Sequence, residues 1–289
     1  MRWEGNRESD NVEDRRSEGG GPRIGGLHLG LGGIVIAVIA GWIFGINPLT
    51  MLGLLSNSNV QAPSSTDTPA QAPPANDQLA AFVSTILAST EDVWGGIFMQ
   101  MGRQYERPRL VLFRDETATA CGAGETAMGP FYCPQDRKVY IDLAFYQTLK
   151  SQLNSPGDFA EAYVIAHEVG HHVQNLLGIT DKVDAQRGRM SRTEMNALSV
   201  RVELQADCFA GVWANHSEAE RKWLDQGDVE QALNAASHIG DDALQRQSQG
   251  RVVPESFTHG TSAQRVGWFK RGMQGGRIQD CDTFASTAP

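Results

Sequence analysis

Residues 161–177 read E-A-Y-V-I-A-H-E-V-G-H-H-V-Q-N-L-L, a stretch that decides the predicted fold and chemistry of the chain. It contains the pattern H-E-x-x-H in His167, Glu168 and His171. In an α-helix, side chains four residues apart lie on the same face, so the two imidazoles can hold one metal ion. Glu168 is turned by about 100° from His167, which places its carboxylate beside the ion and not among its obvious ligands. It can then accept a proton from a water molecule on the metal, the general-base role of this pattern.

The residues around this pattern favour an α-helix. Asp158 and Glu161 lie near its start, where the positive end of the helix dipole stabilises acidic side chains. Gly178 follows the last apolar residue, a typical position for a C-terminal cap. Small and apolar residues surround the histidines, so their burial requires polar partners, and a metal ion is such a partner. The alternative is a pair of satisfied core histidines or a surface row. His172 faces away from the other two histidines and is left outside the predicted site.

A third metal ligand is expected on a second helix. Ser191 and Glu194 form a capping box, which predicts a helix start. Within this helix, Glu203 is the predicted third ligand, because a catalytic zinc site has three protein ligands and one open position. Asp207 lies one turn later on the same face and can accept a hydrogen bond from the far nitrogen of a ligating histidine. The alternative is that the two acidic residues form an exposed face.

Length and charge limit the class of protein. The chain has 289 residues, enough for one good-sized domain or two small ones. Its net charge is −9 and it has no basic block, which argues against nucleic acid as a partner. No heptad repeat or exposed apolar helix outside the predicted membrane segment demands a protein partner, so a monomer is expected.

The four cysteines are candidates for two disulfides. None of them forms a C-x-x-C pair, and outside the cytoplasm disulfides are the natural interpretation. Cys121 with Cys133 would close a short loop, and Cys208 with Cys281 would tie the C-terminal tail to the core. Sequence alone permits three pairings, and four buried free thiols are the alternative. The candidates are Cys121, Cys133, Cys208 and Cys281.

The beginning of the chain differs sharply in composition from the rest. Residues 1–27 are polar and Gly-rich, which predicts a disordered cytoplasmic tail. Residues 28–55 are predicted as a membrane anchor, because the uncharged stretch 29–46 is long enough to span a bilayer. Arginines precede this stretch and no Lys or Arg follows until Arg103, which predicts a periplasmic or extracellular domain after a single pass. Residues 56–77, rich in Ser, Pro and Ala, are predicted as a flexible linker. A cleaved signal peptide is the alternative to the anchor.

The remainder has the pattern of a folded domain. Residues 78–284 are predicted to form it, with a tail at residues 285–289. From Gln78, apolar residues recur at three- and four-residue steps, which predicts a helix. Residues 109–113 and 138–146 have the composition of strands. The predicted fold is therefore α+β and mostly helical, preceded by one transmembrane helix.

Several stretches together resemble one known family. H-E-x-x-H followed on a later helix by E-x-x-A-D is similar to the glutamate-zincin peptidases. The wider set resembles the neutral zinc metallopeptidase family of bacterial envelope proteins. This resemblance implies a zincin-like domain with a small sheet beside the active-site helix, one Zn²⁺ per chain on His167, His171 and Glu203, and Glu168 as base. The stretches are ACG (120–122), GPFYCP (129–134), KVYIDLAFY (138–146), AHEVGHHVQ (166–174), ELQADCFAGVWA (203–214) and ALNAASHIGDD (232–242).

A further stretch, S-F-T-H-G-T-S-A-Q-R at residues 256–265, resembles the T-H-P…R segment of membrane-anchored glutamate zincins. Gly260 stands where proline is usual in that segment. His259 or Arg265 can stabilise the oxyanion of a tetrahedral intermediate, which makes His259 a candidate catalytic residue. Alternatively both are structural, with Arg265 bridging to an acidic residue such as Asp207.

These features predict a membrane-anchored zinc metalloendopeptidase that hydrolyses peptide or protein substrates in the cell envelope and contacts the lipid bilayer through residues 29–46. Two alternatives are open. One is a zinc-binding envelope scaffold without catalysis, although a structural zinc site generally closes all four positions with protein ligands. The other is an amidase that applies the same chemistry to cell-wall peptides.

Overall fold

The computed structural model describes residues 1–18, 71–125, 129–146, 157–186, 188–249 and 251–285. Within these ranges the fold is α+β and mostly helical, as the sequence predicts. The elements are β1 (Val12–Asp14), α1 (Gln78–Gln100), β2 (Arg109–Phe113), β3 (Glu116–Thr119), β4 (Gly122–Glu125), β5 (Phe131–Cys133), β6 (Lys138–Asp142), α2 (Asp158–Leu176), α3 (Ile179–Asp184), α4 (Arg192–Arg221), α5 (Asp228–His238), α6 (Asp241–Gln249) and α7 (Ser262–Gly275), with short 3-10 turns at Pro254–Ser256 and Ile278–Cys281.

The main sheet has the strand order β1-β2-β6-β5. The first three of these strands are parallel, and β5 runs antiparallel to β6 at one edge. Strands β2 (RLVLF) and β6 (KVYID) are buried beyond their first residue, which explains the run of apolar residues in the interior of each. The predicted strand at residues 109–113 is confirmed. The one predicted at residues 138–146 stops at Asp142, because its carboxylate accepts the backbone N–H of Ala144 at 2.8 Å and turns the chain.

The H-E-x-x-H pattern lies on α2, which is buried along nearly its whole length between the sheet and α4. Glycine at position 170 permits this packing. A Cβ there would lie only 3.0 Å from the carbonyl oxygen of Ala206 on α4, so any larger side chain would push the two helices apart. The close approach brings the carboxylates of α4 within reach of the histidines of α2. The capping box of Ser191 and Glu194 begins α4, as predicted.

Residues 1–18 are an integral part of this domain, and the prediction of a disordered tail is wrong for them. Strand β1 pairs with β2 in parallel, with Val12 opposite Leu110. The buried carboxylate of Glu91 on α1 accepts hydrogen bonds from the Ser9 hydroxyl at 2.6 Å and the Asn11 amide at 2.7 Å. The polar composition of this segment therefore reflects docking through charged and hydrogen-bonded groups, and not disorder.

The predicted transmembrane helix requires a second correction. None of the helices in the described ranges is both long and apolar enough to cross a membrane. Residues 28–55, from which that helix was predicted, lie outside those ranges. The described residues before and after this gap contact each other directly. The backbone N–H of Asp14 donates to the carbonyl of Gln71 at 2.7 Å, and Arg16 pairs with Asp77 at 2.6 Å. The described end of the predicted linker is thus held against the N-terminal segment.

Candidate metal centre

Three predicted ligands converge between α2 and α4. The Nε2 atoms of His167 and His171 lie 3.2 Å apart. A carboxylate oxygen of Glu203 lies 3.2 Å from the first of these nitrogens, and its other oxygen lies 3.5 Å from the second. Tetrahedral zinc with bonds of about 2.0–2.1 Å places its ligand atoms roughly 3.3 Å from one another. The three side chains are therefore spaced as ligands of a single zinc ion.

The hydrogen bonds on the far side of each ring define where the protons are. His167 Nδ1 lies 2.8 Å from a carboxylate oxygen of Asp207, so this nitrogen donates. His171 Nδ1 lies 2.9 Å from the side-chain oxygen of Gln174, so it donates as well. In the neutral rings both Nε2 atoms then carry lone pairs, which face each other and the Glu203 carboxylate. Three facing lone pairs require a cation between them, and this donor set suits zinc.

The carboxylate of Asp207, fully buried, holds His167 from behind. It also accepts hydrogen bonds from the Tyr163 hydroxyl at 2.5 Å and from the Arg265 guanidinium at 2.8 and 2.9 Å. Burial alone would raise the pKa of Asp207, but Arg265 and His167 outweigh it and lower that pKa to about 2. Arg265 thus bridges to Asp207, the structural alternative that the sequence left open for it.

His171 is held by a neutral network. The side-chain N–H of Gln174 donates to the carbonyl of Val202 at 2.7 Å and to the side-chain oxygen of Gln205 at 3.1 Å. The side-chain N–H of Gln205 in turn donates to the carbonyl of Cys281 at 2.9 Å. Both glutamine side chains are buried, so their hydrogen bonds are not replaced by water.

The electrostatics of the protein without metal favour a positive charge in the centre. Burial opposes protonation of His167, but the carboxylates of Asp207 and Glu203 outweigh it and raise its pKa to about 10. Burial would raise the pKa of Glu203, yet the two histidines hold it well below its ordinary value. The pocket therefore takes up a proton in the place that suits a metal cation.

Glu168 lies beside the ligands and is almost fully buried. Burial raises its pKa, and the charges of His167 and His171 offset part of this rise. A carboxyl group with a raised pKa is better suited to accept a proton from water near neutral pH than an ordinary glutamate.

His259 lies near enough to Glu203 for the two side chains to interact electrostatically, and this interaction raises the pKa of His259 and lowers that of Glu203. Asp241 organises its loop by accepting the backbone N–H groups of Thr258 at 2.7 Å, His259 at 2.6 Å and Gly260 at 3.0 Å. An oxygen of Asp241 also lies 3.3 Å from Nδ1 of His259. Gly260 has a φ of +86°, a conformation closed to proline, which explains the departure from the T-H-P pattern.

Several supporting residues were missed in the sequence interpretation. Tyr163 precedes His167 by four residues and Gln174 follows His171 by three, so helical spacing could have identified both. Gln205 and Asp241 reach the centre only through tertiary contacts, and no local pattern identifies them.

His172 lies outside the ligand set, as predicted. It is fully buried, with Nδ1 at 3.0 Å from the Tyr132 hydroxyl on β5 and Nε2 at 2.7 Å from the carbonyl of Glu106. Burial lowers its pKa to about 4, so the ring is neutral near neutral pH. Its role is to attach α2 to strand β5.

The four cysteines form two disulfides, Cys121–Cys133 and Cys208–Cys281. The prediction of two disulfides is confirmed, and the structure selects one of the three possible pairings. The first closes a loop that ends in β5, and the second attaches the segment after α7 to α4.

Comparison with known proteins agrees with this geometry. The "Uncharacterized protein YpfJ" of Escherichia coli (strain K12) is 53% identical over 291 residues, which cover 99% of this chain and 100% of that protein. The "Uncharacterized protein Rv2575" of Mycobacterium tuberculosis (strain ATCC 25618 / H37Rv) is 41% identical over 215 residues, which cover 71% of this chain and 72% of that protein. No solved structure gives a significant match. A family model described as "Putative neutral zinc metallopeptidase" matches residues 1–284, including the N-terminal segment that docks on the domain. The chain therefore belongs to the neutral zinc metallopeptidase family.

Proposed function

We propose that this protein is a zinc-dependent endopeptidase that hydrolyses extended polypeptides outside the cytoplasm. The observation that carries the proposal is the convergence of three lone pairs, from His167, His171 and Glu203, beside the buried carboxylate of Glu168. A structural zinc site generally closes all four positions with protein ligands and has no use for a base. The described residues offer three ligands and a base, which favours catalysis over a zinc-binding scaffold.

Different residues of the chain would have different roles in the reaction. When bound, zinc would lower the pKa of a water molecule to about 7 and polarise the scissile carbonyl. Glu168 would take the proton of the attacking water and pass it to the leaving amine. His259, held by Asp241, would donate to the developing oxyanion. Asp207 and Gln174 would keep both imidazoles in the tautomer whose Nε2 faces the metal.

Strand β5 supports a polypeptide as the substrate. In the part of the sheet that the structure describes, β5 pairs with β6 alone, so its other edge can accept another strand. Helix α2 fixes this strand, because Asn175 donates to the Tyr132 hydroxyl at 2.9 Å and to the Pro134 carbonyl at 3.2 Å. An extended peptide added to such an edge is bound mainly through its backbone, which suits an endopeptidase of broad sequence tolerance.

The two disulfides support a location outside the cytoplasm, where disulfides form and persist. Because β1 pairs with β2, residues 1–18 would share that compartment with the domain. This differs from the arrangement that the sequence predicts, in which the first 27 residues remain in the cytoplasm.

A peptide-library digest with the zinc-loaded full chain tests the proposal. We expect cleavage within peptides that a chelator stops and added zinc restores. Glu168→Gln should retain zinc and lose hydrolysis by at least about 100-fold, because general-base catalysis contributes roughly 10²–10⁴-fold. Glu203→Ala is the matched comparison and should lose both the metal and the activity.

The alternatives predict different results in the same experiment. A zinc-binding scaffold would bind the metal and leave every peptide intact in parent and variant alike. A cell-wall amidase would ignore the linear library and release products only from muropeptides supplied in parallel. Unchanged cleavage by Glu168→Gln would refute the assignment of the base.

A further inference from the structure

Helix α4 presents two faces with different partners. Glu203 and Asp207, four residues apart, face α2 and the metal centre. Arg201, Gln205 and Cys208 follow at helical spacing on another face, which holds the segment after α7. On that second face the guanidinium of Arg201 donates to the carbonyls of Thr283 and Phe284, the Gln205 amide donates to the carbonyl of Cys281, and Cys208 is covalently bonded to Cys281.

A continuous chain of hydrogen bonds connects this segment with a metal ligand. The carbonyl of Cys281 accepts from Gln205 at 2.9 Å, the side-chain oxygen of Gln205 accepts from Gln174 at 3.1 Å, and the side-chain oxygen of Gln174 lies 2.9 Å from Nδ1 of His171. Every side chain between the two ends is buried. Each glutamine uses its donor toward the C-terminal segment or α4 and its acceptor toward α2. Reversal of either amide would therefore set donor against donor.

We infer that the segment 278–284, fastened by the Cys208–Cys281 disulfide, is a positioning element for the metal ligand His171, acting through Gln205 and Gln174. The inference rests on the proposed function, since it takes zinc as the ion that His171 binds. It assigns to the disulfide a role in metal affinity in addition to any role in stability.

The expected size of the effect follows from the contacts that remain. Without the disulfide, Arg201 and Thr283 still hold the segment, since the Thr283 hydroxyl donates to the carbonyl of Arg201 at 2.7 Å. The carbonyl of Cys281 would then be less firmly placed, and Gln205 would lose its preferred orientation. Loss of an outer partner of a metal ligand typically reduces metal affinity by about 10–100-fold. We expect about tenfold here, because the disulfide acts two side chains away from His171.

The chain offers a matched control in its other disulfide. Full-length Cys208→Ala/Cys281→Ala and Cys121→Ala/Cys133→Ala are compared with the parent in a zinc competition titration against a chelating dye. The first variant should bind zinc about tenfold more weakly, and the second should match the parent, because no hydrogen bond among the described residues leads from that disulfide to a ligand. Equal zinc affinity in the two variants would overturn the inference.

A second variant keeps the test decisive if removal of the disulfide prevents folding. Gln205→Met preserves the length of the side chain and both disulfides but interrupts the hydrogen-bond chain. It should weaken zinc binding at least as much as loss of the Cys208–Cys281 bond. Zinc affinity of Gln205→Met equal to that of the parent would refute the positioning role.

Combination of the two changes separates positioning from general stability. If both act through one chain, adding the Cys208→Ala/Cys281→Ala change to Gln205→Met should weaken zinc binding little further. Multiplicative effects would show separate routes and contradict the inference. These measurements need no substrate. A parent that binds zinc but cuts no peptide would therefore refute the proposed function and leave the test of the positioning element intact.

Discussion

The two histidines of the metal centre are supported in opposite ways. His167 is backed by the carboxylate of Asp207, which is itself paired with the buried guanidinium of Arg265. His171 is backed by the uncharged amides of Gln174 and Gln205. Both arrangements impose the same tautomer, with Nδ1 donating and Nε2 left for the metal.

The difference lies in what each support contributes besides orientation. A carboxylate behind an imidazole raises its basicity and strengthens its bond to a metal, whereas an amide mainly fixes the direction of the ring. The charged support also depends on its ion pair, because a buried charge without a partner is strongly destabilising. The amide support can lose one hydrogen bond at a smaller cost. We therefore expect the support of His167 by Asp207 to contribute more to zinc affinity and to the free energy of unfolding than the support of His171 by Gln174.

Asp207→Asn should have the largest effect. The substitution keeps the shape of the side chain but leaves Arg265 as an uncompensated buried charge and weakens the support of His167. We expect zinc affinity to fall by about 100-fold and the free energy of unfolding by about 3–5 kcal/mol. Competition titration and denaturant unfolding measure the two quantities.

Asp142→Asn provides the control for this change. Asp142 is also buried, but its carboxylate accepts backbone N–H groups of Asp115 and Ala144 and does not contact a ligand. The Asp142→Asn variant should therefore bind zinc as tightly as the parent. Similar losses of zinc affinity in both variants would mean that Asp207 acts only through the stability of the fold.

Gln174→Met should have a smaller effect. It removes the acceptor for His171 and the donor to Val202 and Gln205 while preserving volume. We expect about 30-fold weaker zinc binding, more than for loss of the disulfide because Gln174 contacts His171 directly, and a loss of about 1–3 kcal/mol in the free energy of unfolding. If this variant bound zinc more weakly than Asp207→Asn, the proposed ranking of the two supports would be wrong.

The smallest difference between the supports of His167 and His171 should appear in how the free energy of unfolding of the metal-free protein depends on pH. A pKa of His167 raised from 6.5 to about 10 stabilises the fold fully below pH 6.5, and this stabilisation is lost as the pH rises toward 10. Asp207→Asn should flatten this decline in the free energy of unfolding, whereas Gln174→Met should preserve it, because Gln174 carries no charge.

Zinc competes with the same proton, so its affinity for the parent should rise with pH over that window. Denaturant unfolding of the metal-free proteins at a series of pH values, with zinc titrations alongside, measures both trends. A pH dependence equally steep in Asp207→Asn would show that Asp207 is not the source of the raised pKa.

Much of the metal centre could be predicted because its residues recur at the spacing of an α-helix. His167 and His171 share a face of α2, and Glu203 and Asp207 share a face of α4, at the spacing that their sequence positions imply. The supports were harder to find. Asp207 was predicted from its position one turn after Glu203, whereas Gln174 resembles any polar residue near a helix end.

The N-terminal segment shows why composition can mislead. Residues 1–18 contain few apolar residues, and a low apolar content normally indicates disorder. Their order comes from strand pairing with β2 and from buried carboxylates such as Glu91 and Glu13, which bind partners far away in the sequence. A local pattern contains no information about such partners.

The sequence by itself determined the type of element and the kind of chemistry: an apolar helix with two imidazoles and a carboxylate at fixed angles, and a second capped helix with a further pair of acids. These follow from the 3.6-residue period, which is a local property of the chain. Only the tertiary structure decided which helices meet, which cysteines pair, that β1 completes the sheet, and that the carbonyl of Cys281 connects through two glutamines to His171. Each of these depends on contacts between residues far apart in the chain, and such contacts are selected by the packing of the whole core.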